Sequence, residues 1–173
     1  MSTTLATSAK LSTQITYLKT ALDGSGIQDV ISQVSAVCDF STGTGVGKAN
    51  TLYHERRSLD AAASDSFNLY ALTDSFGNSL VNARIKFLYV YNWNTTAGDI
   101  LTLFADGTSA AWSGPLGGVD SATVPLYPGG FFILSARDAT AYAVTNSSNH
   151  LFKITNGSSN SIDYDIIIVG ATA

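Results

Sequence analysis

The feature of this sequence that most restricts its fold is the close spacing of turn residues after residue 50. Short apolar runs are interrupted by clusters such as Gly117-Gly118, Pro128-Gly129-Gly130 and Asn156-Gly157-Ser158. Glycine and asparagine tolerate the positive φ angles of tight turns, and asparagine and serine side chains bond their own backbone there. Strands separated by turns at spacings of about ten residues are typical of a sandwich or barrel. We therefore expect an all-β fold, since no long helical pattern alternates with the strands to suggest a parallel α/β sheet.

The clearest predicted strand is Arg84–Trp93, whose two faces are both largely apolar. A strand that is apolar on both sides is usually central to a packed sheet. Shorter patterns of the same kind mark the other candidate strands, which are Thr51–Leu59, Ser66–Leu72, Asp99–Phe104, Ala122–Leu126, Phe131–Ala136, Ala141–Thr145, Leu151–Thr155 and Ile162–Val169.

The first forty residues have a different pattern. Their first apolar residues fall at helical spacing, at Leu11, Ile15, Leu18 and Leu22. This spacing predicts a helix, whereas the β-branched segment that follows fits either a helix or a strand. A glycine- and threonine-rich stretch then predicts a flexible connector. The expected organisation is a partly helical arm at residues 1–40, a connector at 41–50 and a β-sandwich domain at 51–173.

The charge of the chain narrows its possible partners. Only 13% of the residues are charged, the net charge is −4, and the nine basic residues are scattered. A nucleic-acid-binding protein needs a basic patch that neutralises phosphates, so this class is not expected. Uncharged polar surface costs less to desolvate than charged surface, and it suits a protein that packs against neighbours.

The sequence indicates neither a targeting segment nor a disulfide. The N-terminal sequence lacks a basic start followed by an apolar block, so no signal peptide is predicted. The longest apolar run, Ile166–Val169, is too short to span a membrane, and no membrane association is expected. The single cysteine, Cys38, cannot form an internal disulfide, and we expect it to be a small buried residue.

The glycine-rich stretch Gly43–Lys48 superficially resembles a phosphate-binding loop. That motif requires a glycine where this chain has Thr42, and a serine or threonine where it has Ala49. Two defining positions therefore fail, and we expect no nucleotide cofactor.

The remaining polar clusters also have simpler interpretations than catalysis. His54 and Glu55 are neighbours on a predicted strand, so they should lie on opposite faces and cannot act as an acid–base pair. Asp163 and Asp165 share a face of the last strand, which we expect to be half-exposed to solvent, and the aspartates of the chain follow no calcium-loop spacing. No serine lies in a nucleophile elbow. We expect no catalytic residues, no cofactor and no metal, and hence no enzyme.

Residues that could form an interface are easier to identify. Arg56 and Arg57, the one adjacent basic pair, are suited to salt bridges across strands or between subunits. Trp93 and Trp112 lie near predicted loops, where a tryptophan either fills the core or contacts a protein or a sugar. Apolar arm residues would be buried on a neighbouring subunit. The interface candidates are Leu11, Ile15, Leu18, Arg56, Arg57, Trp93 and Trp112.

From Arg57 onward the sequence resembles small tailed-phage virion proteins of the head-decoration or cement type. The segments that carry the resemblance are the lead-in Ser41–Gly47 and then Arg57–Ala62, Ser66–Leu69, Leu72–Gly77, Arg84–Asn92, Val124–Gly130 and Tyr164–Gly170. The resemblance implies an antiparallel β-sandwich of jelly-roll type that assembles with itself, as a trimer or larger, and with a major capsid protein. It implies no functional residues.

The expected function is therefore that of a capsid decoration subunit located on the virion, which stabilises the head by protein–protein contacts. Two alternatives remain open at this stage. One is a carbohydrate-binding or adhesive sandwich, such as a receptor-binding spike, with a glycan as its partner. The other is a single jelly-roll capsid subunit.

Overall fold

The computed structural model describes the backbone of residues 9–23, 26–104 and 107–173, and the side chains of residues 38–104 and 107–173. In these ranges the regular structure is almost entirely β, with one short 3-10 helix at Gly114–Leu116. Antiparallel sheets pack against one another, which confirms the expected all-β sandwich.

Most strands begin and end close to the residues that the alternation pattern predicted. Ser64–Asn68 ends earlier than predicted, because the Asn68 side chain accepts a hydrogen bond from the Tyr70 amide in a local turn. The strands after the arm are β3 Lys48–Ala49, β4 Thr51–Leu59, β5 Ser64–Asn68, β6 Leu72–Thr73, β7 Ser79–Leu80, β8 Arg84–Asn92, β9 Leu101–Phe104, β10 Val124–Leu126, β11 Phe131–Ser135, β12 Tyr142–Ala143, β13 Leu151–Asn156 and β14 Ile162–Ala171.

Two sheets form the sandwich. One has the order β11-β8-β14-β4, with β12 also paired to β8, and the other has the order β10-β9-β13-β5. Inward residues of both sheets share one core, in which Leu88 and Ile166 of the first sheet meet Leu103 and Ile154 of the second. As predicted, β8 is an inner strand, and so is β14, which pairs with β4 on one side and with β8 on the other.

Strand β14 contains a bulge that requires glycine. Its register against β8 shifts between Val169 and Gly170. At Gly170, Asn82 and Thr51 pack against the backbone at positions that a Cβ atom would occupy. Both side chains are buried, and the Thr51 hydroxyl donates a hydrogen bond to Asn82 Oδ1. The bulge thus links strands β4 and β14 to the segment before β8.

The helix predicted in the arm is wrong. Residues Ala9–Asp23 form strand β1, which pairs in antiparallel register with β2 at Gly26–Thr42. The interface candidates of the arm lie at strand positions: Leu11 pairs with Cys38, Ile15 with Val34 and Leu18 with Ile31. The β-branched second segment favours an extended chain, and it supplies hydrogen-bonding partners along the whole first segment. The helical preference indicated by four spaced apolar residues is weaker than the stabilisation from pairing with β2.

The connector forms a compact turn in the structure. Ser41 and Thr42 pair in parallel with β3, and the Gly47 amide donates a 2.7 Å hydrogen bond to the Arg137 carbonyl. Gly47 has a φ of 63°, a conformation that favours glycine. The turn therefore fixes the base of the hairpin against the sandwich.

Candidate interaction surface

The face of the β11-β8-β14-β4 sheet that points away from the core carries a regular array of side chains, which we name the outer face. The strand registers align it in rows across the sheet. From the arm end, the rows are Ser135-Phe87-Val169-Leu52, then Ile133-Tyr89-Ile167-His54, then Phe131-Tyr91-Asp165-Arg56. Trp93, Asp163 and Ser58 continue it at the far end. Most of these residues are apolar or aromatic, which is unusual for a sheet face that is not part of the main core.

The end of the hairpin covers the two central residues of the first row, Phe87 and Val169. Cys38 and Phe40 form a buried cluster with Ala49, Phe87 and Val169. Cys38 is buried as expected, and burial raises the pKa of its thiol. The outer face thus carries a small second hydrophobic cluster. The hairpin of the same chain buries only part of the apolar surface of this face.

The rest of the outer face is covered only in part. Tyr89, Ile133 and Ile167 are half-buried at the edge of that cluster. Phe131 is 60% exposed, Trp93 is 45% exposed, and Leu52, at the end of the first row, is 41% exposed. Phe131 stacks on Tyr89 with 6.4 Å between ring centroids, and Trp93 meets Tyr91 edge-on at 4.6 Å. These contacts form a continuous aromatic surface. Contiguous exposed apolar surface of this kind marks interaction sites more often than isolated exposed residues do.

Arg56 fixes the position of Trp93 on this surface. Its guanidinium donates paired hydrogen bonds of 2.7 and 2.9 Å to the Asp165 carboxylate, and it lies 4.3 Å from the centroid of the Trp93 ring. The hydrogen bonds from Arg56 lower the pKa of Asp165. The paired hydrogen bonds and the stacking contact together limit the rotamers of Arg56, Asp165 and Trp93.

The ion pair predicts a specific pH dependence. Because the pKa of Asp165 is lower in the folded protein than in the unfolded chain, the pair stabilises the fold above the unfolded carboxyl value of about 4. This stabilisation is lost as the pH falls through the folded pKa. We expect Arg56→Gln to destabilise the protein at pH 6 and to have a smaller effect near pH 2, measured as the urea midpoint. A difference that stays constant over this range would contradict the assignment.

Arg57 lies on the opposite face of β4 from Arg56. It bonds Glu55 at 2.7 Å and the Tyr53 hydroxyl at 3.1 Å, and its guanidinium lies 4.8 Å from the Phe67 ring centroid. Burial and the hydrogen bond to Glu55 raise the pKa of Tyr53. The partners of Arg57 are thus within its own chain. Glu55 also faces away from His54, which is exposed on the outer face, as the alternation predicted.

Trp112 is not an interface residue, contrary to one expectation for it. It is 1% exposed, stacks on Phe104 at 6.0 Å and donates a 2.9 Å hydrogen bond from Nε1 to the Ala143 carbonyl. The glycine- and serine-rich loop around it folds over the end of the sandwich and carries the indole into the core. Of the two tryptophans, only Trp93 is on the surface.

Several residues of the outer face carry no separate signal in the sequence. Tyr91 lies within the predicted strand Arg84–Trp93, and Phe131, Ile133 and Leu52 lie within other predicted strands. Alternation places Asp165 on the same strand face as Asp163, but it does not indicate that Asp165 pairs with Arg56. The alternation in β11 and β4 marks these positions as one face of each strand, but only the pairing of the strands brings them together.

Other chemistry is sparse in the described part of the chain. Within it, no three His, Cys, Asp or Glu side chains come together in a way that could hold a metal ion. Among the same residues, no helix is long and apolar enough to cross a membrane.

No protein-family model matches the chain, and no curated protein sequence is significantly similar to it. The outer face is therefore the main basis on which its function can be argued.

Proposed function

We propose that this protein is a virion structural subunit of the capsid decoration or cement type. It assembles with itself, as a trimer or larger, and with a major capsid protein. It acts through protein–protein contacts on the virion surface and not as an enzyme. The observation that carries the proposal is the aromatic outer face, which the hairpin of the same chain covers only in part.

The composition of the outer face fits a protein partner. Its centre is aromatic and aliphatic, and its charged residues Arg56, Asp163 and Asp165 lie at one end. Stable interfaces have this arrangement of an apolar centre and a polar rim, with aromatic residues and arginine enriched. Complete burial of a side chain such as Phe131 or Leu52 stabilises by about 1.5–3 kcal/mol. A few such residues would supply most of the binding free energy of an interface.

The rigidity of the face also favours binding. The paired hydrogen bonds between Arg56 and Asp165 and the contact with Tyr91 restrict the side chain of Trp93 in the unbound protein. A preformed surface loses less side-chain entropy when it is covered, so more of the contact energy appears as affinity. Beside it, Arg56 and Asp165 are already paired with each other within the chain, an arrangement that suits a binding surface better than a catalytic one.

Self-association of the full-length protein tests the proposal. We expect sedimentation velocity to show a mass that rises with concentration to that of a trimer or larger. Trp93→Ser should weaken association by about tenfold or more, because it removes a large exposed aromatic ring of the outer face. The matched control is Phe76→Ser, which changes an aromatic residue that is 86% exposed on the turn between β6 and β7, outside the outer face. This control should associate like the wild type.

A second function is favoured by the same tryptophan. An exposed indole flanked by Arg56 and Asp165 can also stack on a sugar ring and bond its hydroxyls. If the protein stayed monomeric at all concentrations, self-assembly would be wrong. Binding to a glycan array that Trp93→Ser abolishes and Phe76→Ser preserves would then favour a carbohydrate-binding or adhesive module.

A further inference from the structure

We propose that the open part of the outer face is covered by the β1–β2 hairpin of a second copy of this chain. The hairpin would dock by the face that carries the Leu11–Cys38 and Ile15–Val34 pairs. This inference rests on the proposed self-assembly and names the segment that performs it.

The hairpin already binds this kind of surface at its base. Cys38 and Phe40 of β2 are buried against Phe87 and Val169, which form the first row of the outer face. The next row, with Tyr89, continues the same apolar surface, and its aliphatic residues Ile133 and Ile167 pack at the edge of the cluster. A second hairpin laid beside the first would extend a contact that the fold has already begun.

The register gives the hairpin one apolar face near its base. Successive paired positions alternate between the two faces of a ribbon. The positions that share a face with Cys38 are mostly apolar, and they include the pairs Leu11–Cys38, Thr13–Ala36 and Ile15–Val34. The intervening pairs are mostly polar, at Lys10–Asp39, Ser12–Val37, Gln14–Ser35 and Thr16–Gln33. Toward the turn, the Leu18–Ile31 pair falls on the second face, so only the basal half of the ribbon has this apolar face.

The contacts of β2 at the base of the hairpin indicate its direction relative to the outer face. Thr42 pairs with Ala49, next to Asn50, whose amide bonds the Gly170 carbonyl of β14. Four residues earlier, Cys38 lies beside Ser135 on the edge strand β11. Between these two positions β2 runs from the β11 side of the sheet toward β14, across the first row of the outer face. A hairpin that continues along this line toward its turn extends beyond the β11 edge, and Trp93 and Phe131 are exposed in a chain that contains it.

The dimensions allow the hairpin to reach a neighbour. Its strands have 15 and 17 residues, and a strand rises about 3.4 Å per residue, so the ribbon is about 50 Å long. Four strands spaced about 4.8 Å apart are roughly 15 to 20 Å wide. The ribbon is thus long enough to extend beyond its own sheet and across that of another subunit.

Disulfide trapping between two full-length variants tests the exchange. In a Cys38→Ser background, one protein carries Ile15→Cys on the hairpin and the other carries Tyr91→Cys on the outer face. The two are mixed, oxidised and analysed by mass spectrometry of the linked peptides. We expect the mixed hairpin–face disulfide to exceed by at least about fivefold that of the control, because docking raises the effective concentration of the two thiols. The control is Gln14→Cys with Tyr91→Cys, since Gln14 is the adjacent residue on the second face of the ribbon.

A second pair, Thr13→Cys with Phe131→Cys, keeps the test valid if either first variant does not fold. Equal yields from the Ile15 and Gln14 variants, or no mixed disulfide in an assembly that sedimentation has demonstrated, would overturn the exchange and leave self-assembly intact. A disulfide that forms only within one chain of the Ile15→Cys/Tyr91→Cys double variant would also overturn it. A wild-type protein that is monomeric throughout would instead reject the proposed function itself.

Discussion

Replacing Trp112 with alanine should lower the free energy of unfolding by about 3–5 kcal/mol, the range typical of removing a large aromatic side chain from a core. The indole is almost fully buried and contacts Phe104, Tyr142 and Phe152. The substitution would leave a cavity between these rings and would also remove the hydrogen bond to the Ala143 carbonyl. Urea unfolding followed by far-UV circular dichroism measures the change.

Trp93→Ala is the matched control for this prediction. It removes the same side chain from a half-exposed position, so we expect it to change stability by no more than about 1 kcal/mol. The two substitutions should therefore have different effects: the one at Trp112 should lower stability, and the one at Trp93 should weaken association. Similar losses of stability from both substitutions would contradict the burial described for Trp112.

Gly170→Ala should also lower the free energy of unfolding strongly, although it adds only one methyl group. The new Cβ would overlap Asn82 Oδ1 and would lie 2.8 Å from Thr51 Oγ1. Neither neighbour can move freely, because both are buried and bonded to each other, and Asn82 Nδ2 also donates a 2.7 Å hydrogen bond to the Leu69 carbonyl. Overpacking of this kind costs about 1–3 kcal/mol, and breaking the buried hydrogen bonds adds to the loss.

The control for Gly170 is Gly157→Ala, in the turn between β13 and β14. No atom lies within 4 Å of the Cβ that this substitution would add. We expect a change of less than about 0.5 kcal/mol in the same urea experiment. If Gly170→Ala were equally harmless, the bulge would be looser than the contacts of Asn82 and Thr51 indicate.

The strands of the sandwich could be predicted because their signals are local. Alternation and turn residues placed β4 at Thr51–Leu59, as observed, and they identified β8 as an inner strand of a sheet. The arm was mispredicted because the helical spacing of its apolar residues ignores the second segment, which pairs with it along its length. The burial of Trp112 could not be predicted from its neighbours either. Polar loop residues beside a tryptophan do not indicate whether the folded loop places the indole in the core or on the surface.

The outer face could be anticipated only in fragments. Arg56 and Trp93 were identified as surface candidates, but the partner that fixes both, Asp165, lies more than a hundred positions after Arg56 in the chain. Alternation determines which residues share a face within one strand. It does not determine which strands are neighbours, and the aromatic rows exist only because β11, β8, β14 and β4 lie side by side.

The position of β14 has a consequence for how the protein is made. This strand follows all the other described strands, yet it lies between β4 and β8 and joins them into one sheet. A ribosome adds about 5–20 residues per second, so β4 and β8 wait for several seconds with unpaired edges before residues 162–171 emerge. The hairpin needs only local contacts and can form at once, whereas the outer face cannot exist until translation has passed β14. The sheet edges of β4 and β8 therefore stay open during that interval, which is when the nascent chain is most prone to non-native association.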